Sequence, residues 1–349
     1  MQSLATEKKA WSPSPCSNSP RKKAVFVGKP DWIRRIYGKG RFEKVAALTD
    51  LYPEVIHMDL FDQYLPDLQE VEVIFSTWGM KALSADQIVQ MRSLKAVFYA
   101  GGSVHHFARP FLEQGILVIS AWQANAAPVA EFTLAQILLA AKGYFRNSRE
   151  FTAPEKFKTA FRGKGNFGEI VAILGAGAIG QKVIQLLHSF DLEIVVFDPF
   201  LTEENAAKLG VKKASLEEAF KSAYVVSNHL ANRPETVGML HGGLFEKMRP
   251  DATFINTGRG ATINEQQMIR VLTQRPDINA LLDVTYPEPP ADDSRLYLLP
   301  NVHLSSHIAG SIGDEYVRNA DYAIQEFLAW RSGNKLQYAI SIPMLETMA

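Results

Sequence analysis

The residues with the clearest chemistry are six in the middle of the chain, Gly175-Ala-Gly-Ala-Ile-Gly180. They follow a charge-free, β-branched run at 170–174, which reads as a buried strand. They open a helical pattern with Ile179, Val183, Leu186 and Leu187 on one face. Gly175 permits the tight turn, and Gly177 lets the backbone come close to a pyrophosphate. Gly180 lets helix and strand pack closely, while Ala178 and Ile179 present the N–H groups of the helix start. A second apolar run, 193–198, ends in Asp198, a carboxylate 18 positions beyond Gly180 where the ribose hydroxyls of an adenosine would lie. Strand, glycines, helix, strand and acid together predict a bound dinucleotide. No Arg follows Asp198 closely in sequence, so NAD(H) is expected in preference to NADP(H).

Three further strand ends carry reactive side chains. Residues 252–256 run into Thr257-Gly-Arg-Gly260, and 280–284 run into Thr285-Tyr-Pro-Glu-Pro-Pro290. Residues 302–305 run into Ser306-His-Ile-Ala-Gly310. In doubly wound sheets, function gathers at the carboxyl ends of strands. An Arg, a Glu and a His at three such ends suit the reduction of a 2-keto acid. Arg259 can hold the carboxylate and polarise the keto oxygen with its planar fork. His307 can deliver the proton as hydride arrives. Glu288 can keep that His charged and oriented.

Positioning these residues takes two α/β units. The chain of 349 residues has room for two domains. In the first unit, strands are expected at 24–28, 55–58, 71–76, 95–100 and 116–120, separated by helices at 31–47, 85–92 and 109–114. Alternation of this kind implies a parallel sheet. A long helix is expected from Pro128 to about Phe145, apolar on more than one stripe, with Pro128 in its first turn. Residues 151–168 read as a connecting loop. Six strands then form the second unit, at 170–174, 193–198, 224–228, 252–256, 280–284 and 302–305. A last helix, 312–330, is expected to return to the first unit. The expected organisation is a tail at 1–22, a substrate domain of 23–122 plus 309–349, and a dinucleotide domain of 123–308. Two crossings between domains would make a hinge and a binding cleft.

Bulk properties narrow the choice. Thirty-seven basic residues balance 37 acidic ones, which gives no reason to expect nucleic acid or an anionic membrane as partner. The one cysteine, Cys16, excludes a disulfide framework and a cysteine-based zinc site, so no metal is expected and a reducing, cytoplasmic setting is. No apolar run is expected to reach the roughly 18 residues of a membrane helix. Residues 1–22, rich in Ser and Pro, lack the apolar core of a signal peptide and read as a disordered tail.

The segments Gly175–Gly180, Asn256-Thr-Gly-Arg-Gly260, Asp283-Val-Thr-Tyr-Pro-Glu-Pro289 and His307-Ile-Ala-Gly310 together resemble the D-isomer-specific 2-hydroxyacid dehydrogenases. That family includes glyoxylate/hydroxypyruvate reductases and phosphoglycerate dehydrogenases. The resemblance covers about residues 24–335. It implies a split, flavodoxin-like substrate domain around an inserted, doubly wound NAD-binding domain, both Rossmann-like. It also implies a closing cleft and a homodimer built largely on the NAD domains. By the same resemblance, Asp283 would contact the nicotinamide amide, and Thr257 and His229 would lie beside the cofactor. Gly101 and Gly102 would hold the substrate carboxylate through backbone N–H groups. Asn125 and Glu131 match the start of the family's interdomain helix. Two segments depart from the family pattern, Gly101-Gly-Ser-Val-His-His106 and Ala231-Asn-Arg233, and neither touches Arg259, Glu288 or His307.

Other residues have plainer readings. Trp78 is either a wall of the substrate site or a packed loop aromatic. His105 and His106 are adjacent and make a poor metal pair, and His303, inside a strand, reads as structural. Glu203 and Glu204 open a helix where acids favour its dipole. Two rival functions share the main features: a non-enzymatic, NAD-binding corepressor and a formate dehydrogenase, although the latter pairs its His with Gln rather than Glu.

Overall fold

The computed structural model describes residues 21–346, so Cys16 and nearly all of the Ser/Pro-rich stretch 1–22 lie outside the described residues. Within the described residues the chain separates into two compact units, 21–125 with 312–346, and 126–311.

In the first unit the strands are β1 (Lys23–Val27), β2 (Asp50–Ile56), β3 (Val73–Ser76), β4 (Ala96–Tyr99) and β5 (Leu117–Ser120). They form one parallel sheet in the order β2-β1-β3-β4-β5. Successive side chains of a strand face opposite ways, and the two cores follow from that. Val25, Val27, Ile74, Val97, Tyr99 and Val118 enter one core. Phe26, Phe75 and Phe98 enter the other, together with Ala320, Ile324 and Phe327 of the helix Tyr316–Arg331. The expected helix at 31–47 is two helices, Pro30–Ile36 and Arg41–Leu48. Lys39 and Gly40, both at positive φ (53° and 83°), separate them, and a helix cannot propagate through that conformation. β2 begins earlier than expected because Pro53 is tolerated on an edge strand.

In the second unit the strands are β6 (Phe167–Leu174), β7 (Asp191–Phe197), β8 (Lys212–Lys213), β9 (Val225–Asn228), β10 (Thr253–Asn256), β11 (Asn279–Leu282) and β12 (Val302–Leu304). The sheet order is β12-β11-β10-β9-β6-β7-β8. The chain reverses direction across the sheet between β6 and β9, the switch point where such sheets bind ligands. Six strands were expected and seven are present. The extra one, β8, is two exposed lysines paired with β7, and so carries no apolar signal.

The long helix is Trp122–Ala141, not 128–145, and Pro128 lies inside it rather than in its first turn. It stops before Gly143, whose φ is 69° and where a Cβ would stand 2.0 Å from the Arg162 carbonyl oxygen. A separate helix, Tyr144–Glu150, follows. Contrary to expectation, Trp122–Ala141 is long and apolar enough to cross a membrane, since Glu131 is its single charge. Over half of its apolar window is buried, with Ala130, Ile137 and Ala140 in the core of the second unit. Residues 151–166 are largely irregular, with one short turn at Pro154–Lys156.

Candidate functional site

The glycine loop is built by close backbone approaches. Gly175 has φ 93°, and a Cβ there would meet the His229 carbonyl oxygen at 2.9 Å. A Cβ on Gly180 would stand 2.0 Å from the Gly175 carbonyl oxygen, so only glycine lets the helix Ala178–Leu187 start this close to β6. Gly177 differs: a Cβ there would meet nothing within 4 Å. Its surroundings are open at the start of a helix whose first N–H groups have no partner within the helix, which is the cradle a pyrophosphate needs.

Asp198 follows β7 and braces this loop. Its Oδ2 accepts the Ala176 N–H at 2.7 Å and its Oδ1 accepts the Phe200 N–H at 2.7 Å. Two lone pairs of the carboxylate are left for hydroxyl donors. No Arg is near Asp198 in sequence, but the fold brings one near: the Arg233 guanidinium lies 5.1 Å over the ring of Phe200. Arg233 comes from the loop after β9, more than 30 positions away, so sequence proximity could not reveal it.

Arg259, Glu288 and His307 follow β10, β11 and β12, three neighbouring strands. Glu288 Oε1 lies 2.6 Å from His307 Nδ1, and both side chains are about half exposed. Burial pulls the Arg259 guanidinium below its ordinary pKa, and the charge of Glu288 pulls it back up. The loops that carry these two residues touch backbone to backbone. A Cβ on Gly260 would stand 2.0 Å from the Thr285 carbonyl carbon. Glu265 adds a second tie by accepting the Tyr286 N–H at 3.4 Å.

His307 has φ 57°, an unusual value for a non-glycine residue. Asp283, nearly fully buried, holds it there. Its carboxylate accepts from Ser305 Oγ (2.6 Å), the Ile308 N–H (2.9 Å) and the Ala309 N–H (2.9 Å). Its backbone carbonyl accepts the His307 N–H at 3.0 Å. Three of four carboxylate lone-pair sites are thus engaged by the His307 loop, which leaves one for a nicotinamide amide.

His229 sits in a polar chain on the side of the sheet facing the helix Trp122–Ala141. Its Nε2 lies 3.0 Å from Ser227 Oγ and its Nδ1 3.4 Å from Thr257 Oγ1, which is 3.0 Å from Thr133 Oγ1. Burial pushes its pKa down to about 3, so it is neutral in ordinary buffers. His303 is also depressed by burial, and packs against Phe145.

In the first unit, Gly101 and Gly102 follow β4. Ser120 Oγ lies within donor reach of both of their carbonyls, at 2.9 and 2.5 Å, which fixes that turn. Trp78 follows β3 and packs edge-on against Trp32 and Tyr316, at 5.5 and 5.6 Å, with part of its ring still accessible. His106 Nε2 lies 3.0 Å from the Met80 carbonyl oxygen. Among the described residues, no cluster of three or more His, Cys, Asp or Glu could hold a metal.

Sequence reasoning passed over Ser120, Asn228, Asn256, Thr262 and Ser305. The signal was there: four of them are polar residues at or just beyond the end of an apolar strand.

A family model described as "D-isomer specific 2-hydroxyacid dehydrogenase, NAD binding domain" matches residues 134–309. D-3-phosphoglycerate dehydrogenase of Bacillus subtilis is 31% identical over 264 residues, which cover 75% of this chain and 50% of the relative. The enzyme of the same name from Archaeoglobus fulgidus is 26% identical over 265 residues, covering 76% and 50%. The chain thus spans about half the length of these curated relatives. Among solved structures, a phosphoglycerate oxidoreductase from Rhizobium etli superposes with a TM-score of 0.75 at 21% identity, over 92% of this chain and 98% of its own. D-2-hydroxyisocaproate dehydrogenase gives 0.71 at 20% identity, over 91% and 99%. At these identities the two structures speak for the fold alone.

Proposed function

Because the chain belongs to the D-isomer-specific 2-hydroxyacid dehydrogenase family, we propose that it is an NAD(H)-dependent oxidoreductase interconverting a 2-keto acid and the D-2-hydroxy acid. The observation that carries this reading is the 2.6 Å contact of Glu288 with His307, in the loops after β11 and β12, with Arg259 in the loop after β10, the next strand of the same sheet. An ionised carboxylate can only accept, so His307 Nδ1 donates to Glu288 and Nε2 faces substrate. Arg259 binds the substrate carboxylate and draws electron density onto the keto oxygen. When a reduced nicotinamide is bound, it supplies the hydride. The substrate oxygen, as it takes on alkoxide charge, would draw the proton from His307 Nε2. His307 is left neutral and Glu288 unchanged. Oxidation runs the same steps backwards.

The residues present suit the cofactor. Gly175, Gly177 and Gly180, with the N–H groups of Ala178 and Ile179, would hold the pyrophosphate, and Asp198 the ribose hydroxyls. Thr257, His229 and Asp283 would line the nicotinamide side. NADH is preferred because the Asp198 carboxylate repels a 2′-phosphate. Gly101 and Gly102 would offer N–H groups to the substrate carboxylate, and Trp78 an apolar wall. A homodimer is supported by exposed apolar rings in the second unit, at Tyr144, Phe151, Phe157, Phe161 and Phe167. Phe161→Glu should then halve the mass seen by light scattering.

The test is steady-state turnover with NADH and a panel of glyoxylate, hydroxypyruvate, pyruvate and bulkier keto acids. Oxidation of NADH with at least one of them is expected. Tight NADH binding with no turnover on any of them would favour a non-enzymatic, NAD-sensing role.

A further inference from the structure

We propose that Asn228, Asn256 and Thr262 are positioning residues that aim Arg259, an inference that rests on the catalytic reading of that arginine. Strands β9 and β10 pair in register, so Asn228 lies directly beside Asn256 at their carboxyl ends. All three side chains are fully buried.

Asn228 Nδ2 donates to Asn256 Oδ1 and to Thr262 Oγ1, each at 2.9 Å, and Asn228 Oδ1 accepts the Leu230 N–H at 3.2 Å. Asn256 Oδ1 also accepts the Gly258 N–H at 3.1 Å, while its Nδ2 donates to the Arg259 carbonyl at 3.3 Å. Thr262 Oγ1 donates to that same carbonyl at 2.7 Å. Both lone pairs of the Arg259 carbonyl are therefore taken. Neither amide can flip without setting donors against donors, so the network has one arrangement.

The aim of Arg259 needs such support. Among the described residues, its guanidinium makes a single hydrogen bond, at 2.8 Å to the Gly258 carbonyl within the same turn. Its direction is thus set by the backbone of that turn, which the two Asn and the Thr hold. A polar cluster this deep has to be fully paired, and an apolar set would fill the space without that demand. What the polar set adds is a fixed turn beneath a long side chain, where a displacement of about 1 Å can cost on the order of a hundredfold in rate.

The experiment compares Thr262→Val with Thr262→Ser, alone and in an Arg259→Lys background, reading keto-acid kcat/KM and NADH Kd. Thr262→Val keeps the shape and loses the donor, and should lower kcat/KM by about tenfold with NADH Kd unchanged. Thr262→Ser keeps the hydroxyl and should stay within about twofold of wild type. In the Arg259→Lys background, Thr262→Val should cost less than about twofold, because the group it aims is gone. If Thr262→Val does not fold, Asn228→Asp, which sets acceptors against Asn256 Oδ1 and Thr262 Oγ1, takes its place with the same expectations. A folded Thr262→Val or Asn228→Asp enzyme with wild-type kcat/KM overturns the proposal and leaves the catalytic reading standing. So does an equal loss with and without Arg259. A wild-type enzyme silent on every keto acid overturns both.

Discussion

Arg259→Lys separates charge from geometry at the proposed centre. Lysine keeps a cation on a stem of similar length but offers a point charge in place of a planar fork. In the structure one nitrogen of the fork donates to the Gly258 carbonyl at 2.8 Å, and among the described residues the guanidinium makes no other hydrogen bond. The three donors of an ammonium radiate from one atom, so it cannot meet that carbonyl, a carboxylate and a keto oxygen in the planar arrangement of the fork. Losing one transition-state contact of this kind costs about 3 kcal/mol, or on the order of a hundredfold in kcat/KM. A second effect acts in the same direction. Burial already lowers the guanidinium pKa, and a lysine there starts about two units lower, so a larger share of it would be neutral. NADH affinity, measured by fluorescence titration, should be unchanged, since the glycine loop and Asp198 lie on other strands. Most of the loss should appear in kcat, with a smaller rise in KM for the keto acid. A variant within about threefold of wild type in kcat/KM would refute the assignment of Arg259, whatever its NADH affinity.

Asp198→Ala should weaken NADH binding and raise the relative use of NADPH, because it removes a charge that repels a 2′-phosphate while Arg233 remains over Phe200. An unchanged NADH/NADPH ratio would show the ribose site to be elsewhere. Gly177→Ala and Gly180→Ala should separate binding from folding. The first adds a Cβ into open space and should keep the melting temperature while weakening NADH at least about tenfold. The second drives a Cβ to 2.0 Å from a backbone oxygen and should cost about 3 kcal/mol of stability. Equal melting temperatures for the two would contradict that contrast. His229, with its folded pKa pushed down to about 3, takes up its proton more readily in the unfolded chain. Its contribution to stability is therefore complete above about pH 6.5 and is lost as pH falls toward about 3. Between pH 7 and 5 the wild type should lose about 2 kcal/mol more than His229→Gln in denaturant titrations. Identical losses would mean that His229 takes up its proton as readily in the folded protein as in the unfolded chain.

Much of this molecule is legible in one dimension because its chemistry is local. The glycine spacing around Gly177 and the apolar run before it define a strand–turn–helix unit by steric rules that act over a few residues. Arg259, Glu288 and His307 could be named because each lies in the loop that follows a short apolar strand, and parallel α/β sheets put such loops on one edge. Element boundaries were less legible. Lys39 and Gly40 divide a stretch with one helical pattern, and Pro128 sits inside a helix that packing sustains around it. The strand at Lys212–Lys213 is apparent only from its pairing with β7.

The amino-acid order by itself determined the α/β class, the strand–glycine–helix turn and the placing of Arg259, Glu288 and His307 beyond strand ends, since local sterics and hydrophobic periodicity act along the chain. Only the tertiary structure decided which groups brace them: Asp283 under His307, Asn228 and Thr262 under Arg259, and Arg233 over Phe200 near Asp198. Asp283, Asn228 and Arg233 each come from a different strand or loop, whereas Thr262 lies three residues beyond Arg259. A hydrogen bond or ring contact between residues tens of positions apart leaves no periodic trace in sequence. It exists once the parallel sheet sets the register that brings those strand ends together.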